Sequence, residues 1–161
     1  MLSGDEGSDT LRGNQGDDVI FFDAEDAIVL GGSGYDTAVV ATEDAVDFDL
    51  VANDFEQFIG GEGDDTVTAS GSMEDIAIHG EDGNDDLTGG QADDILSGGN
   101  GDDTVFGGHG DDFVSGNAGN DALDGSNGDD VVVAGAGDDT AHGGAGSDVL
   151  YLNDGNDSGT G

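Results

Sequence analysis

The chain has 161 residues with 33 glycines, no proline, no cysteine, no tryptophan, and 39 acidic side chains against a single basic one, Arg12, for a net charge of −38. With almost nothing to neutralise phosphates it is not a nucleic-acid binder, and anionic membrane surfaces are disfavoured for the same reason. Neither disulfides nor thiolate metal sites are available, and no apolar run approaches a membrane span.

Such a charge with few aromatic residues would ordinarily leave a chain disordered, so order must come from the pattern and the natural partners are cations. Met1–Arg12 has no basic start and no apolar stretch, unlike a secretory signal peptide, and the chain reads as an excised or trimmed module. A nine-residue rule operates from the start. Gly4–Arg12 (GDEGSDTLR) and Gly13–Phe21 (GNQGDDVIF) put Asp9 and Asp18 at the sixth place and Leu11 and Ile20 at the eighth. Phe22–Leu30 keeps the length but has Ala27 where the aspartate belongs, with Asp26 beside it as a substitute; Gly31–Val39 restores the rule with Asp36. Residues 4–39 are therefore N-terminal repeats.

Residues 40–59 contain no glycine, yet Val46, Phe48 and Leu50 alternate with Asp47 and Asp49 as a half-buried strand does. This stretch reads as two metal-free rungs of the same stack, with a looped-out hairpin as the alternative. Residues 60–79 hold one regular unit, Gly60–Thr68 with Asp65, and a loose rung whose Ile76 and Ile78 point inward. Residues 80–160 are nine contiguous nonapeptides, from GEDGNDDLT to LNDGNDSGT. Their sixth places are Asp85, Asp94, Asp103, Asp112, Asp121, Asp130, Asp139, Asp148 and Asp157, and their eighth places run from Leu87 to Leu150 before Gly159 ends the pattern. The whole chain, 1–161, is expected to form one elongated domain.

Glycines at the first, second and fourth places make a turn. Places seven to nine make a short strand whose middle side chain faces inward. One buried aliphatic per nine residues cannot offset the ordering of that backbone, and stacked turns would align aspartates in repelling files. A hard divalent cation between turns reverses the sign of that interaction, and carboxylate and carbonyl oxygens are the ligands calcium prefers.

Units such as GGNGDDTVF and GGHGDDFVS resemble the nonapeptides of the RTX, or hemolysin-type calcium-binding repeat, family, G-G-x-G-x-D-x-U-x. The resemblance implies an all-β, right-handed parallel β-roll, a β-solenoid with two nonapeptides per coil. It also implies calcium between turns two units apart, held by sixth-place aspartates and turn carbonyls. One edge then aligns Asp85, Asp103, Asp121, Asp139 and Asp157, and the other Asp94, Asp112, Asp130 and Asp148. Asp18 with Asp36 and Asp65 with Asp85 are further pairs, for about nine candidate sites. Asp9 has no evident partner in Phe22–Leu30. Ala92, Ala134, Glu81, Asn117 and Ser126 replace turn glycines and put the local turn geometry in question. Proteins with such repeats look like type I secretion substrates, and the C-terminal signal they carry beyond the repeats is not seen in this sequence.

The fifth-place acids, Asp17, Asp64, Asp93, Asp102, Asp111, Asp129 and Asp138, read as a solvated face that concentrates calcium. His79, His109 and His142 fall at unrelated places and make no zinc site. No nucleophile-and-base arrangement occurs, so the expected function is a non-catalytic calcium-binding module of a secreted bacterial protein, folding on extracellular calcium as a scaffold. The alternatives are an accessory module of a polysaccharide-modifying enzyme or protease, or a self-assembling surface-layer, adhesin or filament component. The phenylalanines and tyrosines are expected in the core or at the ends.

Overall fold

The computed structural model describes all 161 residues, and its strands are joined only by parallel ladders. Nine strands form one sheet: Leu2–Ser3, Val19–Phe22, Thr37–Val40, Gln57–Ile59, Ala77–Asp82, Ile95–Asn100, Phe113–Ala118, Val131–Ala136 and Val149–Tyr151. Seven form the facing sheet: Asp47–Asp49, Thr66–Thr68, Asp86–Thr88, Thr104–His109, Ala122–Asn127, Thr140–Ala145 and Ser158–Thr160. Thr10–Gln15 and Ile28–Ser33 pair as a separate two-stranded sheet. The chain visits the two large sheets alternately, so it winds as a β-roll with two short strands per coil.

Register follows the repeat length. Leu87 pairs with Val105, Val105 with Leu123 and Leu123 with Ala141, each a step of two nonapeptides. The step lengthens in the centre, where Thr37 pairs with Gln57 and Gln57 with Ala77. Residues 40–59 are thus within the roll, not looped out of it. Within that stretch Leu50–Asn53 forms a single helical turn, capped by Asp49, whose carboxylate accepts the Ala52 N–H at 3.0 Å.

Alternation buries the eighth-place side chains. Leu87, Leu96, Val105, Val114, Val132 and Ala141 are fully buried, stacked coil upon coil between the sheets. The centre is richer in hydrocarbon: Phe48 lies 5.0 Å from Phe22, 5.6 Å from Phe55 and 5.6 Å from Phe58, ring centre to ring centre. Ile76 and Ile78 are buried beside this cluster, as the sequence suggests. Toward the C-terminus the core thins to Ala141 and Gly159, and Leu150 and Leu152 cover it from the end.

Two expectations need correction. Phe106, Phe113, Tyr35 and Tyr151 are exposed on the outside of the roll, because seventh-, ninth- and fifth-place side chains point away from the core. Glu81, Asn117 and Ser126 do not break their turns: they adopt φ of 77°, 74° and 77°, the left-handed conformation that glycine supplies elsewhere. Fourth-place glycines lie against the neighbouring coil in the regular repeats. Gly137 has φ 143°, and a Cβ there would lie 2.6 Å from the Gly119 carbonyl carbon of the preceding coil.

In calcium, Phe48→Ala is expected to lower stability by about 3–5 kcal/mol, the usual loss for a buried phenylalanine. Urea unfolding reads this directly, and a loss below about 1 kcal/mol contradicts a core centred on Phe48.

Candidate metal centres

The sixth place ends the turn that enters each strand, so its side chains stack in files along the two edges of the roll. The file entering the seven-stranded sheet holds Asp65, Asp85, Asp103, Asp121, Asp139 and Asp157; the file entering the nine-stranded sheet holds Asp18, Asp36, Asp94, Asp112, Asp130 and Asp148. Within each file the backbone N–H of one aspartate donates to Oδ1 of the aspartate one coil on. Asp85 donates to Asp103 at 2.9 Å, Asp103 to Asp121 at 2.9 Å, and Asp121 to Asp139 at 2.8 Å. On the other edge Asp94 donates to Asp112 at 2.8 Å, Asp112 to Asp130 at 2.8 Å, and Asp130 to Asp148 at 3.1 Å. Asp18 with Asp36, Asp65 with Asp85, and Asp139 with Asp157 are joined in the same way.

The second oxygen of these carboxylates behaves differently. Oδ2 of Asp36, Asp85, Asp103, Asp112, Asp121, Asp130, Asp139 and Asp148 is buried and has no hydrogen-bond partner in the protein. Those of Asp36, Asp85, Asp103, Asp112, Asp121, Asp130 and Asp148 point into the space over the first-place glycine of their own unit, and for Asp36, Asp85, Asp112, Asp121 and Asp130 a backbone carbonyl of the next coil faces the same space. A Cβ built on Gly107 would meet Asp112 Oδ2 at 2.5 Å and the Gly125 carbonyl oxygen at 2.7 Å. On Gly125 it would meet Asp130 Oδ2 at 2.5 Å and the Gly143 carbonyl at 2.7 Å. Every donor there is a hard oxygen, the chemistry that suits calcium. No group of three or more His, Asp or Glu side chains gathers at one point, so a cation here must draw much of its shell from main-chain carbonyls. The residues fit such an ion.

Not every expected position is equivalent. Asp65 and Asp94 have both oxygens engaged, because Gly61 N–H donates to Asp65 Oδ2 at 3.4 Å and Gly90 N–H to Asp94 Oδ2 at 2.5 Å. In these two units neither the second nor the fourth place, Gly61 and Gly63 or Gly90 and Ala92, has the positive φ found in the regular turns. Ala134 takes the first place in the unit of Asp139, where the regular units have glycine, and Asp139 Oδ2 is buried and unpartnered there as well. Asp18 lies beside the N-terminal ammonium at 3.5 Å. The expectation that Asp9 lacks a partner is corrected: its N–H donates to Asp26 Oδ1 at 2.9 Å, while Asp23 N–H donates to Asp26 Oδ2 at 3.2 Å.

Two further sets of residues were missed. Residues 40–59, read as metal-free, place Glu56 in the file, and its Oε2 accepts the Asp36 N–H at 2.7 Å. Counting back two places from the inward-facing Phe58 would have found it. The fifth-place acids are exposed but also form ladders of their own, running in the opposite direction. Asp93 Oδ1 accepts the Asp111 N–H and Asp111 Oδ1 the Asp129 N–H, both at 2.8 Å. On the other edge Asp64, Asn84, Asp102, Asn120, Asp138 and Asn156 alternate, each but the last accepting from the next coil, and the alternation halves the charge. Asn156 hydrogen bonds hold the exposed Asp138 carboxyl below its usual range. The three histidines stay apart, His79 on the nine-stranded sheet, His142 on the seven-stranded sheet, and His109 two coils before His142 at the end of its strand.

In the cation-free protein, burial pushes the carboxyls of Asp85 and Asp112 up to about 7 and those of Asp103 and Asp121 up to about 6, with neighbouring aspartates adding to the rise. Asp65, Asp94, Asp130 and Glu56 are raised for the same first reason. A folded-state value above the unfolded one means that the folded chain holds more protons. The cation-free fold therefore has its full stability from these groups below the ordinary aspartate range, and loses it as pH rises through about 6 to 7. Protons and cations compete for the same oxygens, so calcium affinity should rise over that same interval. Circular dichroism of chelator-treated protein across this range should show strand content increasing on acidification; a flat profile contradicts the assignment.

The sequence profile of the RTX calcium-binding nonapeptide repeat, four copies long, matches residues 1–29, 53–72, 78–96, 88–123 and 124–158. The stretches between, 30–52 and 73–77, include part of the hydrocarbon-rich centre. No curated protein matches the chain. With its profile matched over most of the length and its glycine turns and aspartate files stacked in a parallel β-roll, this chain belongs to the RTX calcium-binding nonapeptide repeat family.

Proposed function

We propose that the chain is the calcium-folded scaffold module of a secreted bacterial protein, delivered extended and closed into its roll outside the cell. The observation that carries this reading is the set of buried, unpartnered Oδ2 atoms repeated along both edges. The ligands assigned are Asp36, Asp85, Asp103, Asp112, Asp121, Asp130, Asp139 and Asp148, with Asp18 and Asp157 at the ends of their files. Asp65 and Asp94 are weaker because glycine N–H groups already engage them, and Asp9 is weakest. Bound calcium supplies the positive charge that these files lack. The chain's own residues do the rest: the first-place glycines keep the cradle open, the turn carbonyls face it, and the Oδ1 hydrogen bonds fix each carboxylate's direction.

Without the ion, the net charge of −38 and the thin core favour the extended state. Stability then follows free calcium by mass action, in the range of extracellular modules, with dissociation constants of about 10⁻⁴–10⁻³ M. No helix is long and apolar enough to cross a membrane. Circular dichroism through a calcium titration, with magnesium as control, tests the reading. Asp112→Ala and Asp121→Ala should each move the folding midpoint to higher calcium, and unchanged midpoints contradict the ligand roles.

A second reading, association of two copies, rests on the outside of the nine-stranded sheet. No Asp or Glu occupies a seventh or ninth place there, whereas Asp47, Asp49, Asp86 and Asp124 do so on the opposite sheet. Ile95, Phe113, Val149 and Tyr151 are exposed on the uncharged face. It is a surface on which two copies of so acidic a chain can meet without opposing carboxylates. Sedimentation in calcium should show a concentration-dependent dimer that Phe113→Asp abolishes; a monomer at all concentrations contradicts this reading.

A further inference from the structure

The nonapeptide rule stops at Val39 and does not resume until Gly60, and nothing in that interval has the motif of a cation site. The fold nevertheless continues the file. Because Thr37 pairs with Gln57, Glu56 falls at the place that Asp36 holds one coil earlier. Its Oε2 accepts the Asp36 N–H at 2.7 Å, as aspartate Oδ1 does in the regular coils. Asp36 is fully buried; its Oδ1 accepts the Asp18 N–H at 2.8 Å, and its Oδ2 has no partner. That bare oxygen points into the space over Gly31, where a Cβ would lie 2.8 Å from it.

The carbonyl facing the same space belongs to Asp54, so Asp54 does here what a first-place glycine carbonyl does elsewhere. Asp54 reaches that position at the end of the Leu50–Asn53 helical turn, in the left-handed conformation with φ 56°. One coil further on, the buried side chain of Ile76 precedes the strand residue Ala77, which pairs with Gln57, and the file is interrupted.

We propose that Asp36 Oδ2, the Asp54 carbonyl and the Glu56 carboxylate form a divalent-cation site, oxygen-only and of the calcium class, inside the coil that lacks the repeat. It rests on the reading of the regular files as cation sites and extends them by one coil. The helical turn then has a function: it replaces the glycine turn by presenting a carbonyl where the sequence has no glycine.

Glu56→Gln keeps the acceptor for the Asp36 N–H and removes the charge, whereas Glu56→Asp keeps the charge. Tyr35, next to Asp36, and Tyr151 are the chain's two tyrosines, and there is no tryptophan, so in a Tyr151→Phe background tyrosine-sensitised terbium luminescence reports the neighbourhood of Tyr35. Calorimetry with calcium should show Glu56→Gln binding one ion fewer than the parent and Glu56→Asp binding the same number. Terbium emission should fall in Glu56→Gln and be unaffected by Asp112→Asn, which removes an ion elsewhere. An unchanged ion count in folded Glu56→Gln overturns the site while leaving the regular files intact. A parent chain that binds no calcium overturns both.

Discussion

The structure depends on how a buried aspartate is satisfied. One carboxylate oxygen accepts a main-chain N–H from the preceding coil and so sets the spacing of the stack; the other is sealed from water with no protein donor. A buried charged acceptor without a partner costs more than the 1–3 kcal/mol of a neutral group, and eight such oxygens occur in one small roll. Protonation is one escape, and the upward shift of Asp85 and Asp112 is its signature. Cation binding is the other, and it alone works at neutral pH without discarding the charge. On the proposed reading, folding and metal binding are one event.

The polar framework around this interaction runs in two senses. Sixth-place carboxylates accept from the coil before them, and fifth-place side chains accept from the coil after them. Each turn is thereby tied to both neighbours by side chains as well as by strand ladders. The outer ladder is solvated and keeps its charge in water, so it tolerates asparagine in alternate coils. The inner file has no such latitude. An asparagine there would keep the Oδ1 hydrogen bond but place an amide where the second oxygen meets the cradle.

Much of this was legible in the sequence because a solenoid turns periodicity into adjacency. A step of two nonapeptides places Asp103 on Asp85 and Asp130 on Asp112 without any long-range inference, and the eighth-place aliphatics name the core. Legibility failed where the period changed. The coil from Thr37 to Gln57 is two residues longer than the regular step, so fixed counting passes over Glu56. It failed again where chemistry does not follow residue type: Asp65 and Asp94 carry the motif, yet local turns bring glycine N–H groups onto their second oxygens. The outward aromatics were misplaced because aromatic character suggests burial, while the strand alternation, which decides the matter, puts Phe106 and Phe113 outside.

The centre of the roll holds by other means. Around Phe48 the coils enclose four phenylalanines, and the aspartate files are interrupted at Ile76 on one edge and at Ala27 and Val46 on the other. Hydrocarbon lies there in place of the carboxylates, and it separates an N-terminal group of candidate sites from the long C-terminal array. The most direct measurement of the central claim is a crystal structure grown in calcium, with anomalous differences used to locate the metal. Peaks are expected beside the second oxygens of Asp85, Asp103, Asp121 and Asp139 along one edge and of Asp112, Asp130 and Asp148 along the other. Well-ordered carboxylates with no anomalous density beside them would contradict the claim.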